Sequence, residues 1–92
     1  MVSMTIVEFV IDERAQDKMW AHGIDEAQLR AALQARYIVL RNRKRRAARR
    51  VFIGSDESGR CLVAPILPTN DPAIWRVVTA WYCKPSEAAK LV

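Results

Sequence analysis

Residues 36–53 read Arg36-Tyr-Ile-Val-Leu-Arg-Asn-Arg-Lys-Arg-Arg-Ala-Ala-Arg-Arg-Val-Phe-Ile53. Two short runs rich in β-branched and aromatic residues, Tyr37 to Leu40 and Arg49 to Ile53, have the composition of strands. The block between them is almost wholly cationic, and such charge is not buried without partners. It must therefore be a solvated connection, and the whole stretch predicts a β-hairpin with a basic tip. Downstream, Gly54-Ser-Asp-Glu-Ser-Gly59 is a turn by composition. Arg60 to Leu67 follows as a third strand stopped by Pro68. Asn70-Asp71-Pro72 turns the chain again, and Ile74 to Cys83 is the longest strand. Short connections of this kind join antiparallel neighbours, so these strands form a meander.

Upstream, residues 4–11 (Met-Thr-Ile-Val-Glu-Phe-Val-Ile) read as a strand. Asp12 suits an N-cap. Residues 13–21 carry Ala15 and Met19 at helical i, i+4 spacing, and Gly23 suits the left-handed position after a helix. Asp25 and Gln28 have capping-box spacing, with Ile24 and Leu29 placed as a hydrophobic staple. Helix 25–34 offers Leu29, Ala32 and Leu33 as its buried side. Pro85 and Glu87 mark the first turn of a last helix. The expected fold is α+β in the order β-α-α-β-β-β-β-α. It is an antiparallel sheet with two helices packed on one face, the other face partly open, and a C-terminal helix.

The chain has 92 residues, enough for one domain spanning 1–92. It is 51% hydrophobic, so it folds and does not remain a disordered tail. No apolar run approaches the ~20 residues that span a bilayer, so no membrane role is expected. The N-terminus lacks the basic start of an export signal. The expected compartment is the cytoplasm, which makes Cys61 and Cys83 free, buried thiols. One histidine and two cysteines, without CxxC or HxxxH, make no zinc site, and no cofactor is expected. The tryptophans read as core: clearly for Trp20 and Trp75, less so for Trp81, which also suits stacking on a base.

The formal net charge is +5, from 15 basic and 10 acidic residues. Eight of those cations lie within residues 36–50 with no acid among them: Arg36, Arg41, Arg43, Lys44, Arg45, Arg46, Arg49 and Arg50. Seven are arginine, whose planar fork matches phosphate, whereas lysine would serve solubility as well. The block points to a polyanion held by its backbone, with an acidic partner protein as the rival.

Three stretches stand out in order along the chain: His22-Gly-Ile-Asp-Glu-Ala27, then Phe52-Ile-Gly54 with Asp56 and Gly59-Arg-Cys-Leu62, then Trp75-Arg-Val-Val-Thr-Ala80 with Glu87 beyond. Together they resemble the BrnT-like toxins, which belong to the RelE-like ribonuclease superfamily of type II toxin–antitoxin systems. They occur in the family's order across most of residues 12–90. The chain departs from the family at Trp81-Tyr82, where a basic pair is typical, and in its proline-rich stretch 64–69. The resemblance implies a toxin that cleaves RNA without metal and is neutralised by a cognate antitoxin. Such chemistry needs a base for the 2′-hydroxyl, a cation for the phosphorane and an acid for the leaving oxygen. The candidates are His22, Arg76, Tyr82 and Glu87, with Thr79 and Lys84 nearby. His22 suits acid–base work or the capping of the first helix. Arg76 suits a phosphate clamp or an ion pair with a carboxylate such as Glu8. Regular alternation places Arg76 and Tyr82 on one face. Two other readings stand beside the ribonuclease: a non-catalytic binding module, and a homodimer formed through the open sheet face.

Overall fold

The computed structural model describes residues 5–42 and 50–91. Among them run β1 (Glu8–Val10), α1 (Glu13–Ala21), α2 (Glu26–Ala32), β2 (Tyr37–Arg41), β3 (Arg50–Ser55), β4 (Cys61–Pro68), β5 (Ile74–Val77), β6 (Trp81–Tyr82) and α3 (Pro85–Leu91). The fold is mixed α+β: a six-stranded sheet with three helices. Strand order is β1-β5-β4-β3-β2, with β6 also paired to β4. The strands from β2 onward pair antiparallel, but β1 lies parallel to β5 with Phe9 beside Trp75. The sheet is thus not purely antiparallel. Two helices separate β1 from β2, and that long crossover lets β1 enter at the far edge.

Local chemistry sets the helix ends. Asp12 Oδ1 accepts from the Ala15 amide at 2.8 Å, which starts α1. Gly23 has φ +76°, open to a residue without a Cβ, and its N–H donates to the Trp20 carbonyl at 2.9 Å. Asp25 Oδ1 accepts from the Gln28 amide at 2.8 Å, and Gln28 Oε1 accepts from the Asp25 amide at 3.1 Å.

The two sheet faces carry different cores. Against α1 and α2 lie Phe9, Met19, Ile24, Leu29, Phe52, Leu62, Ile66 and Val77, all with 2% or less of their surface exposed. Burying each such side chain contributes roughly 1.5–3 kcal/mol. The opposite face holds a smaller cluster of Ile53, Val63 and Leu91, the last from α3, with Ile38, Leu40, Val51, Trp81 and the two cysteines half-buried around it.

The long strand expected over 74–83 is broken. Ile66 pairs with Val77 and Val63 with Trp81, so residues 64 and 65 face residues 78, 79 and 80. Three residues against two make a β-bulge. Pro65 supplies the cause. Its carbonyl accepts from Val78 N at 3.0 Å, so the N–H that proline lacks would have pointed to the same strand. The bulge shifts the alternation by one. Tyr82 and Ala80 join Trp75 and Val77 on the α1–α2 side, while Trp81 and Cys83 join the α3 side. Arg76 and Tyr82 therefore do not share a face, contrary to the regular pattern.

Two further expectations fail. Cys61 and Cys83 are joined by a disulfide, with Cα atoms 5.3 Å apart, and are not free thiols. The register that pairs Leu62 with Tyr82 sets them directly opposite, and Cys83 N donates to Cys61 O at 3.0 Å. Trp20 is not core: 72% of its surface is exposed. It follows Met19 on α1, and one residue turns the helix by about 100°, away from the buried stripe.

Candidate nucleic-acid interface and the cluster around Tyr82

The basic hairpin is anchored by the β2–β3 ladder. Arg41 closes β2, Arg50 opens β3, and the two are direct cross-strand partners. Arg41 is exposed and Arg50 half-buried. Arg43, Lys44, Arg45, Arg46 and Arg49 lie outside the described residues. Arg36 is exposed at the other end of β2, where its carbonyl accepts from Ser55 N at 3.1 Å. The pairing sets two of the eight cations of residues 36–50 at the base of the hairpin.

The four candidate catalytic residues fall into separate settings. His22 is exposed at the end of α1, where its amide donates to the Met19 carbonyl at 2.9 Å. The Tyr82 hydroxyl donates to the carbonyl of the next residue, Gly23, at 3.3 Å, so these two positions come together. Arg76 lies on the other sheet face, its guanidinium 3.6 Å from Asp12 Oδ2. Glu8 is held instead by Arg30 at 3.0 Å, and that hydrogen bond, then one from the Phe9 amide, lowers its pKa against a small desolvation effect. Glu87 Oε1 accepts from Lys84 N at 2.8 Å and from Trp81 Nε1 at 3.2 Å. It thus caps α3 and holds an indole, both fold tasks.

Sequence reasoning passed over a polar knot beside Tyr82. Asp56 is 5% exposed, the one buried charged residue among those described. Its Oδ1 accepts from Ser58 N at 2.9 Å, Ser58 Oγ at 2.8 Å and Arg60 N at 2.9 Å. Its Oδ2 takes Arg60 Nε at 3.3 Å and Gln28 Nε2 at 3.4 Å. Burial works to raise its pKa, but the hydrogen bonds from Ser58, Arg60 and Gln28 prevail and lower it to about 2. Gln28 Nε2 also donates to the Tyr82 hydroxyl at 3.0 Å, and Arg60 lies 4.9 Å over the Tyr82 ring. The knot therefore ties the β3–β4 turn to α2 and β6. A signal was present: Asp56-x-Ser58-x-Arg60 in a turn after a strand is the pattern of a carboxylate folding its own loop.

Among the described residues no three of His, Cys, Asp and Glu cluster to hold a metal, and no helix is long and apolar enough to cross a membrane. Compared with known proteins, the chain matches no family model, no curated protein and no solved structure.

Proposed function

We propose that this chain binds nucleic acid, RNA first, through the arginine-rich β2–β3 hairpin, without sequence readout. The observation that carries this reading is the density of like charge in the β2–β3 segment: eight cations, seven of them arginine, lie within residues 36–50 with no acid among them, and Arg41 and Arg50 are cross-strand partners at the hairpin base. Such a concentration of positive charge attracts a polyanion, and the arginine fork matches phosphate. Titrating a labelled single-stranded RNA at rising salt tests it. Affinity should fall steeply, by roughly tenfold or more between 50 and 200 mM salt, as counterions are released. Weak binding indifferent to salt would refute the proposal.

Cleavage by a type II toxin, neutralised by a cognate antitoxin, is the second reading. It is favoured by the contact between Tyr82 and Gly23, which brings the tyrosine to the residue beside His22. Arg76 and Glu87 are engaged elsewhere, which favours binding over catalysis. Expression of the chain should arrest growth, and His22→Ala or Arg76→Ala should relieve that arrest. A protein that binds RNA but neither cuts it nor slows growth leaves the binding module alone.

A further inference from the structure

Trp20 is the largest exposed apolar side chain among the described residues. It forms one wall of a hollow of about 390 Å³ between α1 and α2. Met19, Ile24 and Ala27 also line it, and the first two are fully buried, so the floor is apolar. Asp17, Asp25 and Glu26 contribute carboxylates to the lining. Asp25 is used in capping α2, and Glu26 is held by Arg30 at 2.6 Å and by Gln16. The Asp17 carboxylate has no hydrogen bond or ion pair among the described residues, and no described cation lies over Trp20.

An aromatic wall, an apolar floor and an unpaired carboxylate suit one kind of side chain: a long aliphatic stem ending in a cation. The chain itself carries such side chains at high density. Residues 12–26 hold five acids against two bases, whereas residues 36–50 hold eight bases and no acid. We infer that the Trp20 hollow of one copy receives an arginine from the basic segment 41–50 of a second copy, giving a salt-sensitive self-association. The same arginines then serve either the second copy or a polyanion, so RNA dissociates the assembly. The inference needs the basic segment but not the RNA reading. A chain that self-associates in this way yet ignores RNA would remove the earlier proposal and leave this one standing.

Sedimentation velocity on the intact protein tests it. At low salt the protein should self-associate, and at about 0.5 M salt, where exposed charges are screened, it should be monomeric. Trp20→Ala and Asp17→Asn, both at exposed positions, should each weaken association by about tenfold, the scale of one cation–π or surface ion contact at an interface centre. The Trp20→Ala protein and an Arg43→Ala/Arg45→Ala/Arg46→Ala protein should each associate weakly alone but more tightly when mixed, because one retains the full basic segment and the other the hollow. A monomer at low salt overturns the inference. So does an assembly that Trp20→Ala leaves intact, which would place the interface elsewhere, as on the α3 side of the sheet.

Discussion

The turn around Asp56 and the hairpin base at Arg41 and Arg50 use charge in opposite ways. At the turn, one buried carboxylate is surrounded by donors from three residues and holds the β3–β4 connection, α2 and β6 together. At the hairpin base, Arg41 and Arg50 are cross-strand partners, and five more cations lie between them in sequence with no acid among them. A small domain has little stability to spare. A charge that the fold needs is sheltered among donors, whereas a run of like charge with no acid in its sequence suits a polyanion. On the binding proposal, the contrast separates residues whose loss unfolds the chain from residues whose loss abolishes binding.

Removing the basic charges of the hairpin segment should have the largest effect. Arg43→Ala/Arg45→Ala/Arg46→Ala is expected to lower RNA affinity on the order of a hundredfold at low salt and to flatten the salt slope by about 2. Thermal unfolding should be unchanged or slightly improved. Loss of binding together with a collapse in melting temperature would erase the distinction between the two regions.

Opening the disulfide comes next. Cys61 and Cys83 close a connection of 22 residues, for which chain entropy suggests about 3 kcal/mol of stabilisation. Cys61→Ser/Cys83→Ser should unfold at correspondingly lower denaturant, with amide exchange rising first in β6 and α3. RNA affinity of the folded protein should hold.

Asp56 links the comparison to pH. Its folded pKa of about 2 lies below the usual 3.8. Its contribution is therefore complete above pH ~4 and fades as pH falls toward 2, a change on the order of 2 kcal/mol. Asp56→Asn should remove that acid dependence and lower stability at neutral pH, since the new amide donor faces Gln28 and Arg60. An unaltered acid limb in urea melts at pH 2–4 would show that the knot is not what the acid breaks.

The smallest expected effect is that of Tyr82→Phe. It removes the hydrogen bond to Gly23 O and leaves Gln28 Nε2 one partner fewer. A loss of about 1 kcal/mol is expected, with RNA affinity intact. If the variant instead kept its stability and lost an RNA-cleaving activity, the tyrosine would belong to a catalytic site and not to the knot.

Much of the architecture was legible because local chemistry wrote it. Asp12, Gly23, Asp25 and Gln28 set the helix ends through contacts spanning only a few residues, and apolar, β-branched runs bounded by turn residues marked the strands β2 to β4. The candidate site was less so. Regular alternation through the whole of 74–83 puts Arg76 and Tyr82 on one face. A proline on the neighbouring strand altered that count, and nothing within the strand itself announced it. The hairpin arginines were visible at once, since their signal is composition.

By itself, then, the sequence determined which segments are helix, most of those that are strand, where the first two helices begin, and that the positive charge is concentrated in one segment. Propensity, capping and charge density act over a few residues and need no partner to be read. Tertiary structure alone decided that β1 runs parallel to β5, that Pro65 forces a bulge, that Cys61 meets Cys83, and that Trp20 faces solvent over an acidic hollow. Each of these depends on the register between segments distant in the chain, and register is set by how whole faces pack.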